Sequence, residues 1–326
     1  MAQEAEYMQT SVLSHVDEFQ NGIKESVNTI YIPTEFPLFD KLLDGGLYEG
    51  LYFIGAISSL GKTTFAMQMC DQIAESGYDV IIFSLEMARS ELMAKSISRL
   101  TFLDVIQSGS DTRNAKTARG ITTGSRYAKY SQTEKELIQR SITAYKCFAG
   151  NVFIHEGIGD IGTEQVRATV EKHISITGRK PVILIDYLQI LAPADVRATD
   201  KQNTDKAVIE LKRISRDFKI PVIGISSFNR DNYSRTVNMA SFKESGAIEY
   251  SSDVLIGLQL KGAGKKNFDA IREKAKNPRE IELIILKNRN GVVGKKILYN
   301  YYPMFNYFEE VNEEIAELFL DTNNDN

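Results

Sequence analysis

The sequence is poor in cysteine and histidine. Its 326 residues include two cysteines, Cys70 and Cys147, and three histidines. Two cysteines do not make a disulfide framework, and both lie in apolar helical patterns, so we expect two buried thiols in a reducing compartment. The histidines have no cysteine partners at zinc-binding spacing. These shortages exclude a disulfide-stapled secreted domain and a structural zinc module.

Long apolar runs and excess positive charge are also missing. No run approaches the ~20 residues that a membrane-spanning helix needs, and residues 1–6 (MAQEAE) are too polar and acidic for a secretory signal. The net charge is −4. Any contact with nucleic acid must therefore come from a local patch rather than from bulk charge. We expect a cytoplasmic protein without membrane contact.

Residues 54–64 (IGAISSLGKTT) organise the chain. An apolar strand pattern precedes them and a helical pattern follows, which is the strand–loop–helix context of a phosphate-binding P-loop. Backbone N–H groups and the helix N-terminus would bind phosphates, Lys62 would reach the β- and γ-phosphates, and Thr63 would hold magnesium. Alanine replaces the glycine that usually opens this pattern. We expect an ATP or GTP site formed by Ala56, Ser58, Ser59, Leu60, Gly61, Lys62, Thr63 and Thr64.

Apolar runs alternate with helical patterns along the rest of the chain. Continuous rather than alternating apolarity favours parallel strands that are buried on both faces. The last two runs would pair in a hairpin through the turn at Asn290 and Gly291. The order predicts an α/β fold with a mostly parallel sheet, flanking helices and a C-terminal β-hairpin. Strands are predicted at 79–84, 151–155, 181–186, 221–225, 254–260, 281–286 and 295–302, and helices at 2–27, 89–100, 132–148 and 163–175, with a last helix ending at 218.

The N-terminal helix leaves two interpretations open. Apolar residues recur along it at steps of three and four, at Met8, Val12, Val16, Phe19 and Ile23. Such a stripe packs either on its own domain or on a neighbouring subunit, and the pattern does not choose between them.

Residues 104–133 look like the least structured part of the chain. Between Thr112 and Thr133 there is no acidic residue, and two tyrosines, Tyr127 and Tyr130, are interleaved with five cations. A solvated loop and a phosphate-contacting patch both fit this composition. The cations are Arg113, Lys116, Arg119, Arg126 and Lys129.

Polar residues follow three of the predicted strands. Glu86, Asp186 and Ser227 lie at or just after strand ends. Because the carboxyl ends of parallel strands form one crevice, we expect these side chains to converge beside the P-loop. Asp186 suits a carboxylate that holds magnesium, although it would also suit a turn or helix cap. Glu86 suits a general base, and position alone fits an ordinary exposed glutamate equally well.

Six segments resemble a known family, and they occur in that family's order. They are 55–64, 83–87 (FSLEM), 185–189 (IDYLQ), 226–230 (SSFNR), 244–249 (ESGAIE) and 287–291 (KNRNG). Together they resemble the C-terminal, RecA-like motor domain of DnaB-like replicative helicases over residues 31–310. Residues 1–30 would then be a linker helix and 311–326 a C-terminal tail.

The resemblance implies a homohexameric ring that hydrolyses ATP with Mg²⁺ at subunit interfaces, translocates on single-stranded DNA and works with a primase or a helicase loader. It implies that Glu86 is the catalytic base and that Lys287 and Arg289 reach into a neighbour's site. It also implies that the loop with Lys243, Glu244 and Gly246 contacts the DNA backbone.

Three departures from the family pattern stand out. Ser227 occupies a position that is usually glutamine, which is thought to sense the γ-phosphate. Lys243 replaces a common arginine and loses its bidentate geometry. The family's N-terminal collar has no counterpart in this sequence, which fits a mobile-element helicase or the motor half of a primase–helicase. The alternative function is a RecA- or KaiC-like ATP-gated DNA-binding or assembly ATPase that does not unwind DNA; segments 85–87 and 287–291 favour the helicase.

Overall fold

The computed structural model describes residues 7–25, 31–157, 160–229, 235–242 and 245–311. The chain divides into two compact units, residues 1–31 and 32–326. In the first unit a 3₁₀ turn, Val12–His15, leads into helix α1, Val16–Glu25. This confirms part of the helix predicted at 2–27, of which residues 2–6 and 26–27 lie outside the described ranges. Its recurrent apolar side chains are exposed: Met8, Val12, Val16, Phe19 and Ile23.

One sheet forms the centre of the second unit. Its strands within the described residues are β1 (Gly50–Ala56), β2 (Val80–Ser84), β3 (Val152–Glu156), β4 (Val182–Asp186), β5 (Pro221–Ser227), β6 (Val254–Leu260), β7 (Arg279–Asn288), β8 (Lys296–Tyr302) and β9 (Tyr307–Glu310). They lie in the order β3-β2-β4-β5-β1-β6-β7-β8-β9. The first six in this order pair in parallel, and β6 to β9 pair antiparallel. This confirms the predicted mostly parallel sheet with a C-terminal hairpin; β9 was not predicted.

Helices cover the connections between the strands. In the described part of this unit they are α2 (Pro37–Leu42), α3 (Lys62–Glu75), α4 (Arg89–Gln107), α5 (Ala118–Thr122), α6 (Gly124–Tyr127), α7 (Gln132–Ala149), α8 (Thr163–Thr177), α9 (Asp200–Phe218), α10 (Ser245–Ser251) and α11 (Ala270–Ala275). Local chemistry sets their ends. Ser131 caps α7 by accepting from the Glu134 N–H while the Glu134 carboxylate accepts from the Ser131 N–H. Gly178, in the left-handed conformation, ends α8. None of these helices combines the length and apolar character that a bilayer span requires.

The C-terminal strands pack against the P-loop helix α3. Phe65 on α3 contacts the rings of Phe36, Tyr299 and Phe308 at centroid distances of 5.0 to 5.5 Å. Gln68, one turn further on, donates to the Phe308 carbonyl and accepts from the Phe308 N–H, both at 2.8 Å. Truncating a buried phenylalanine such as Phe65 to alanine costs about 3–5 kcal/mol. Strands β8 and β9 therefore form part of the packing around the P-loop helix.

The structure departs from the sequence analysis in three places. Residues 104–133, which looked like the least structured part of the chain, contain the end of α4 at Gln107 and short helices, with Lys116 buried among them. Cys147 is exposed, since Tyr145 and Phe148 take the buried face of α7 and Cys147 lies between them. Between the strands predicted at 254–260 and 281–286 the structure has helix α11, which was not predicted, and β7 begins two residues earlier than predicted, at Arg279.

Candidate active site

The P-loop connects β1 to α3. Ser59 and Gly61 both adopt left-handed backbone conformations, with φ of 64° and 95°. A Cβ added to Gly61 would lie 2.9 Å from ring carbons of Tyr301 and Phe308. Glycine is therefore required at position 61 by conformation and by space. Helix α3 starts at the next residue, so its unpaired N–H groups border the loop.

A cleft of about 550 Å³ opens beside this loop. It is lined by most of the predicted site residues: Ser58, Ser59, Gly61, Lys62, Thr63, Thr64, Glu86, Asp186 and Ser227. Ala56 and Leu60 are fully buried and are not lining residues, so any part they take in binding falls to their backbone. The carboxyl ends of β2, β4 and β5 thus meet the P-loop in one crevice.

Hydrogen bonds join the predicted residues directly. The Lys62 ammonium donates to the Ala56 carbonyl at 3.2 Å and to the Ser227 hydroxyl at 3.4 Å. The Thr63 hydroxyl donates to the Asp186 carboxylate at 3.2 Å. Residues up to 165 positions apart in the chain therefore lie within contact distance.

Burial shifts the pKa values of ionisable groups in this cleft. It raises the pKa of the Asp186 carboxyl to about 6, an effect that the Thr63 hydroxyl opposes by hydrogen bonding to the charged form. Burial also lowers the pKa of the Lys62 and Lys95 ammonium groups. A magnesium ion would stabilise the buried carboxylate, and phosphates would stabilise the two desolvated ammonium groups. The residues present therefore fit a magnesium–nucleotide complex.

Lys95, Arg279 and Tyr301 are among the lining residues that were not predicted from the sequence. Lys95 projects from α4, which carries no motif that distinguishes it from other helical lysines. Arg279 donates to the Ser59 carbonyl at 3.2 Å, and Tyr301 hydrogen-bonds Thr64. In the structure, burial alternates along β8 and places Tyr301 on an inward face. No short sequence signal marks any of the three residues.

Lys287 and Arg289 lie outside this cleft. The Lys287 ammonium donates to backbone carbonyls of Glu249, Tyr250 and Ser252 at the C-terminal end of α10. The Arg289 guanidinium lies 3.5 Å from the Asp253 carboxylate and lines a separate cavity of about 240 Å³. Neither cation reaches the nucleotide cleft of its own chain, so their action on a neighbour's site stays a prediction.

The predicted DNA-contacting residues fall largely outside the described ranges. Lys243 and Glu244 are not described. Gly246 lies in the first turn of α10, and a Cβ there would meet no atom within 4 Å. Space in this chain therefore does not require glycine at 246, and its contact with a DNA backbone stays a prediction.

The fold and the cleft define a class of protein. A P-loop after the first strand of a mostly parallel sheet, a threonine beside a buried strand-end aspartate and an antiparallel C-terminal extension are the features of a RecA-like P-loop ATPase domain. Residues 31–310 match the family described as the DnaB-like helicase C-terminal domain, and the chain belongs to that family.

Curated relatives agree with this assignment. The chain is 28% identical over 291 residues to the replicative DNA helicase DnaB of Pasteurella multocida (strain Pm70), covering 87% of this chain and 56% of the relative. It is 28% identical over 269 residues to the replicative DNA helicase DnaC of Bacillus subtilis (strain 168), covering 81% of this chain and 53% of that protein. The chain thus spans little more than half the length of the curated relatives it matches.

Solved structures show the same fold. A solved ATPase domain superimposes with a TM-score of 0.76 at 21% identity, covering 91% of this chain and 99% of that one. A DnaB-like replicative helicase whose structure was described with its primase interactions gives 0.73 at 20%, covering 91% and 67%. A KaiC-like protein from Pyrococcus horikoshii OT3 gives 0.54 at 17%, covering 87% and 99%. The predicted RecA-like fold is confirmed.

Proposed function

We propose that this chain is the motor of a DNA helicase, which hydrolyses ATP with Mg²⁺, translocates on single-stranded DNA and unwinds duplex DNA during replication. The supporting observation is the convergence of Lys62, Thr63, Glu86 and Asp186 on one cleft of a DnaB-family fold. Hydrolysis of a phosphoanhydride needs positioning and charge neutralisation, and these four side chains are suited to both.

Each residue has a defined task in this proposal. Thr63 and Asp186 hold magnesium, which neutralises charge on the phosphates when bound. Lys62 and Lys95 place two positive charges in the cleft, so both favour the charge that develops on the transferring phosphoryl group. Glu86 is exposed at the cleft and accepts a proton from the attacking water. The Ser227 hydroxyl accepts a hydrogen bond from the Lys62 ammonium, so a displacement of Lys62 would change this contact.

We further propose that the complete site lies between two copies of the chain in a hexameric ring. The cleft has its own lysines but receives neither Lys287 nor Arg289 from the same chain. Arg289, about half exposed, would enter the neighbour's cleft and stabilise the phosphoryl group. In this arrangement residues 31–310 are the motor, and the proposed linker helix (1–30) and tail (311–326) include residues 1–6, 26–30 and 312–326, which lie outside the described ranges.

The proposed DNA contact comprises Lys243, Glu244 and Gly246. Gly246 lies in the first turn of helix α10, so a DNA strand bound there would be linked to the sheet through α10. A primase or a helicase loader is the proposed protein partner, and the cytoplasm the proposed location.

Strand displacement on a forked duplex tests the proposal. The wild-type chain should release the displaced strand only with ATP and Mg²⁺, and Lys62→Ala should not, because the P-loop then loses its phosphate-binding cation. A circular dichroism spectrum and thermal melt of Lys62→Ala serve as the control for folding. Nucleotide-dependent DNA binding and hydrolysis without strand release would favour the non-unwinding RecA/KaiC-like ATPase instead. Wild-type ATP hydrolysis by Lys62→Ala would contradict the assignment of the cleft.

A further inference from the structure

A basic segment lies between helices α4 and α7, away from the nucleotide cleft. We call residues 112–130 the basic arm. It contains five cations and no acidic residue in a protein whose net charge is −4. None of its residues lines the nucleotide cleft. Its charge is therefore not explained by the proposed ATPase site.

Two of the five cations have acidic partners. Arg113 pairs with Asp111, just before the arm. Lys116 is buried, pairs with Glu134 at 2.5 Å and lies 4.7 Å from the centre of the Tyr130 ring. Lys116 thereby acts as an anchor, and its charge is not available to a ligand.

The other three cations face solvent. Arg119, Arg126 and Lys129 are exposed, and within the described part of the chain none of them forms an ion pair. Tyr127 is 39% exposed and meets Tyr130 edge to face at a centroid distance of 6.3 Å. The outer surface of the arm thus offers three uncompensated charges beside an accessible aromatic ring.

The arm is held in a defined shape. The Thr117 hydroxyl accepts from the Gly120 N–H and caps α5, and the Tyr130 hydroxyl donates to the Gly120 carbonyl at 3.1 Å. The Lys116 carbonyl accepts from Ser98 on α4 at 2.7 Å. Because these contacts hold the backbone, binding a ligand would order the exposed side chains without also having to order the backbone of the arm.

We propose that the basic arm binds the sugar–phosphate backbone of nucleic acid, as a site separate from the loop at 243–246. Arginine, lysine and hydroxyl side chains are the groups that contact phosphates, and an exposed tyrosine can stack on an unpaired base. The hydroxyl groups are present at Thr122, Thr123 and Ser125.

Other polyanions fit this surface less well. Basic clusters that recognise anionic lipids have 4–8 cations, and the arm presents three unpaired ones. A protein interface needs a buried apolar centre, and among the described residues of the arm Tyr127 is the one large apolar side chain that is exposed. Nucleic acid is therefore the ligand that the chemistry favours.

The salt dependence of DNA binding tests the charges. The triple variant Arg119→Ala, Arg126→Ala, Lys129→Ala is compared with wild type by fluorescence anisotropy, using single-stranded and duplex oligonucleotides across a salt series without nucleotide. Each phosphate contact contributes about 0.7 to the logarithmic salt slope for single strands, so the slope should fall by about 2. The matched control, Lys146→Ala, Lys172→Ala, Lys180→Ala, removes three exposed cations elsewhere and should leave the slope unchanged.

Several outcomes would overturn the proposal. One is an unchanged slope in the triple variant on both oligonucleotides; another is an equal fall in the control variant. Loss of binding to vesicles of anionic lipid, with the DNA slope intact, would assign the arm to a membrane instead. ATP hydrolysis without DNA should be the same in all three proteins. A failed DNA test with normal hydrolysis would therefore reject the arm alone and leave the proposed ATPase standing.

Tyr127 provides an independent test of base stacking. Tyr127→Ala should weaken single-strand binding roughly tenfold, because base–aromatic stacking is lost, while its salt slope and duplex binding stay the same. Tyr127→Phe keeps the ring and should bind like wild type. Equal single-strand affinity of Tyr127→Ala and Tyr127→Phe would show that the ring does not contact bases.

Discussion

The Lys287 ammonium donates a 2.7 Å hydrogen bond to the Ser252 carbonyl, and it also reaches the carbonyls of Glu249 and Tyr250. These groups end helix α10, which begins directly after residues 243–244. Strand β7 carries Lys287 and leads straight to Arg289. One side chain therefore connects the helix behind the proposed DNA loop to the strand that precedes the proposed trans-acting arginine.

We predict that Lys287→Met weakens single-strand binding and DNA-stimulated ATP hydrolysis together. The substitution leaves the last carbonyls of α10 without their cation, and a cation at a helix C-terminus contributes about 0.3–1 kcal/mol. Anisotropy and a coupled ATPase assay measure the two effects, and Lys287→Arg, which keeps the charge, should recover part of both. Lost hydrolysis with unchanged DNA affinity would mean that Lys287 acts on a neighbour's nucleotide alone.

Arg289→Ala should lose turnover while it keeps most of its nucleotide affinity, because Arg289 does not line the cleft of its own chain. An arginine supplied in trans is worth about 10³ or more in turnover. Mixtures with Lys62→Ala should regain some activity, since a mixed interface can join an intact P-loop to an intact Arg289. Absence of any rescue in mixtures shown to co-assemble would place Arg289 outside the neighbour's site.

Glu86→Gln should bind nucleotide with near wild-type affinity and fail to hydrolyse it. The amide preserves the size of the side chain at the cleft but cannot accept a proton from water. Equilibrium binding of a fluorescent ATP analogue and phosphate release measure the two steps. Phosphate release at the wild-type rate would show that another group is the base.

Asp186→Asn should stabilise the metal-free protein at neutral pH. The raised pKa means that folded Asp186 binds its proton more tightly than the unfolded chain does. Its contribution to the free energy of unfolding is therefore fully present below about pH 4 and is lost as the pH rises through about 6, a difference of roughly 3 kcal/mol. Urea unfolding at pH 4.5 and 7.5 should show that the free energy of unfolding of the variant, relative to wild type, is higher at pH 7.5 than at pH 4.5.

Exposed Asp160 gives the control for this experiment. Asp160→Asn should follow the wild type at both pH values. The same behaviour in Asp186→Asn would show that the buried carboxyl does not influence stability through its proton.

Ser227→Gln should increase the stimulation of hydrolysis by DNA. Serine contacts the Lys62 ammonium at 3.4 Å, whereas the longer glutamine would extend further into the cleft. The ratio of ATPase rates with and without single-stranded DNA measures the effect, and Ser227→Ala serves as the control for loss of the hydroxyl. Strong stimulation in the wild type, unaltered by glutamine, would show that other residues couple DNA to hydrolysis.

Most of the parallel sheet was predictable because its strands are short apolar runs between helical patterns. The strand at Val254–Leu260 was predicted with its observed limits, and Val182–Asp186 to within one residue. Strand β9 was missed because Tyr307–Glu310 is four residues long and half acidic, so it carries no apolar run. Its pairing depends on β8 and on Gln68, which is distant in the chain.

The site was predictable where one local motif or one strand end defined it. Lys62, Thr63 and Asp186 are of this kind. Lys95, Arg279 and Tyr301 come from elements whose orientation depends on tertiary packing, so no short segment identifies them. Lys116 illustrates the same limit, because its surroundings suggested a solvated or phosphate-binding cation, whereas it is buried and its partner, Glu134, lies 18 residues later.

The paired hydrogen bonds between Gln68 and Phe308 have a consequence for how the protein is made. The two residues are 240 positions apart, so the ribosome completes helix α3 long before it reaches β9. Until then, the side chain of Gln68 lacks its partner, and the ring of Phe65 lacks Tyr299 and Phe308. The nascent P-loop helix therefore acquires its final surroundings only when the last strands of the sheet have been synthesised.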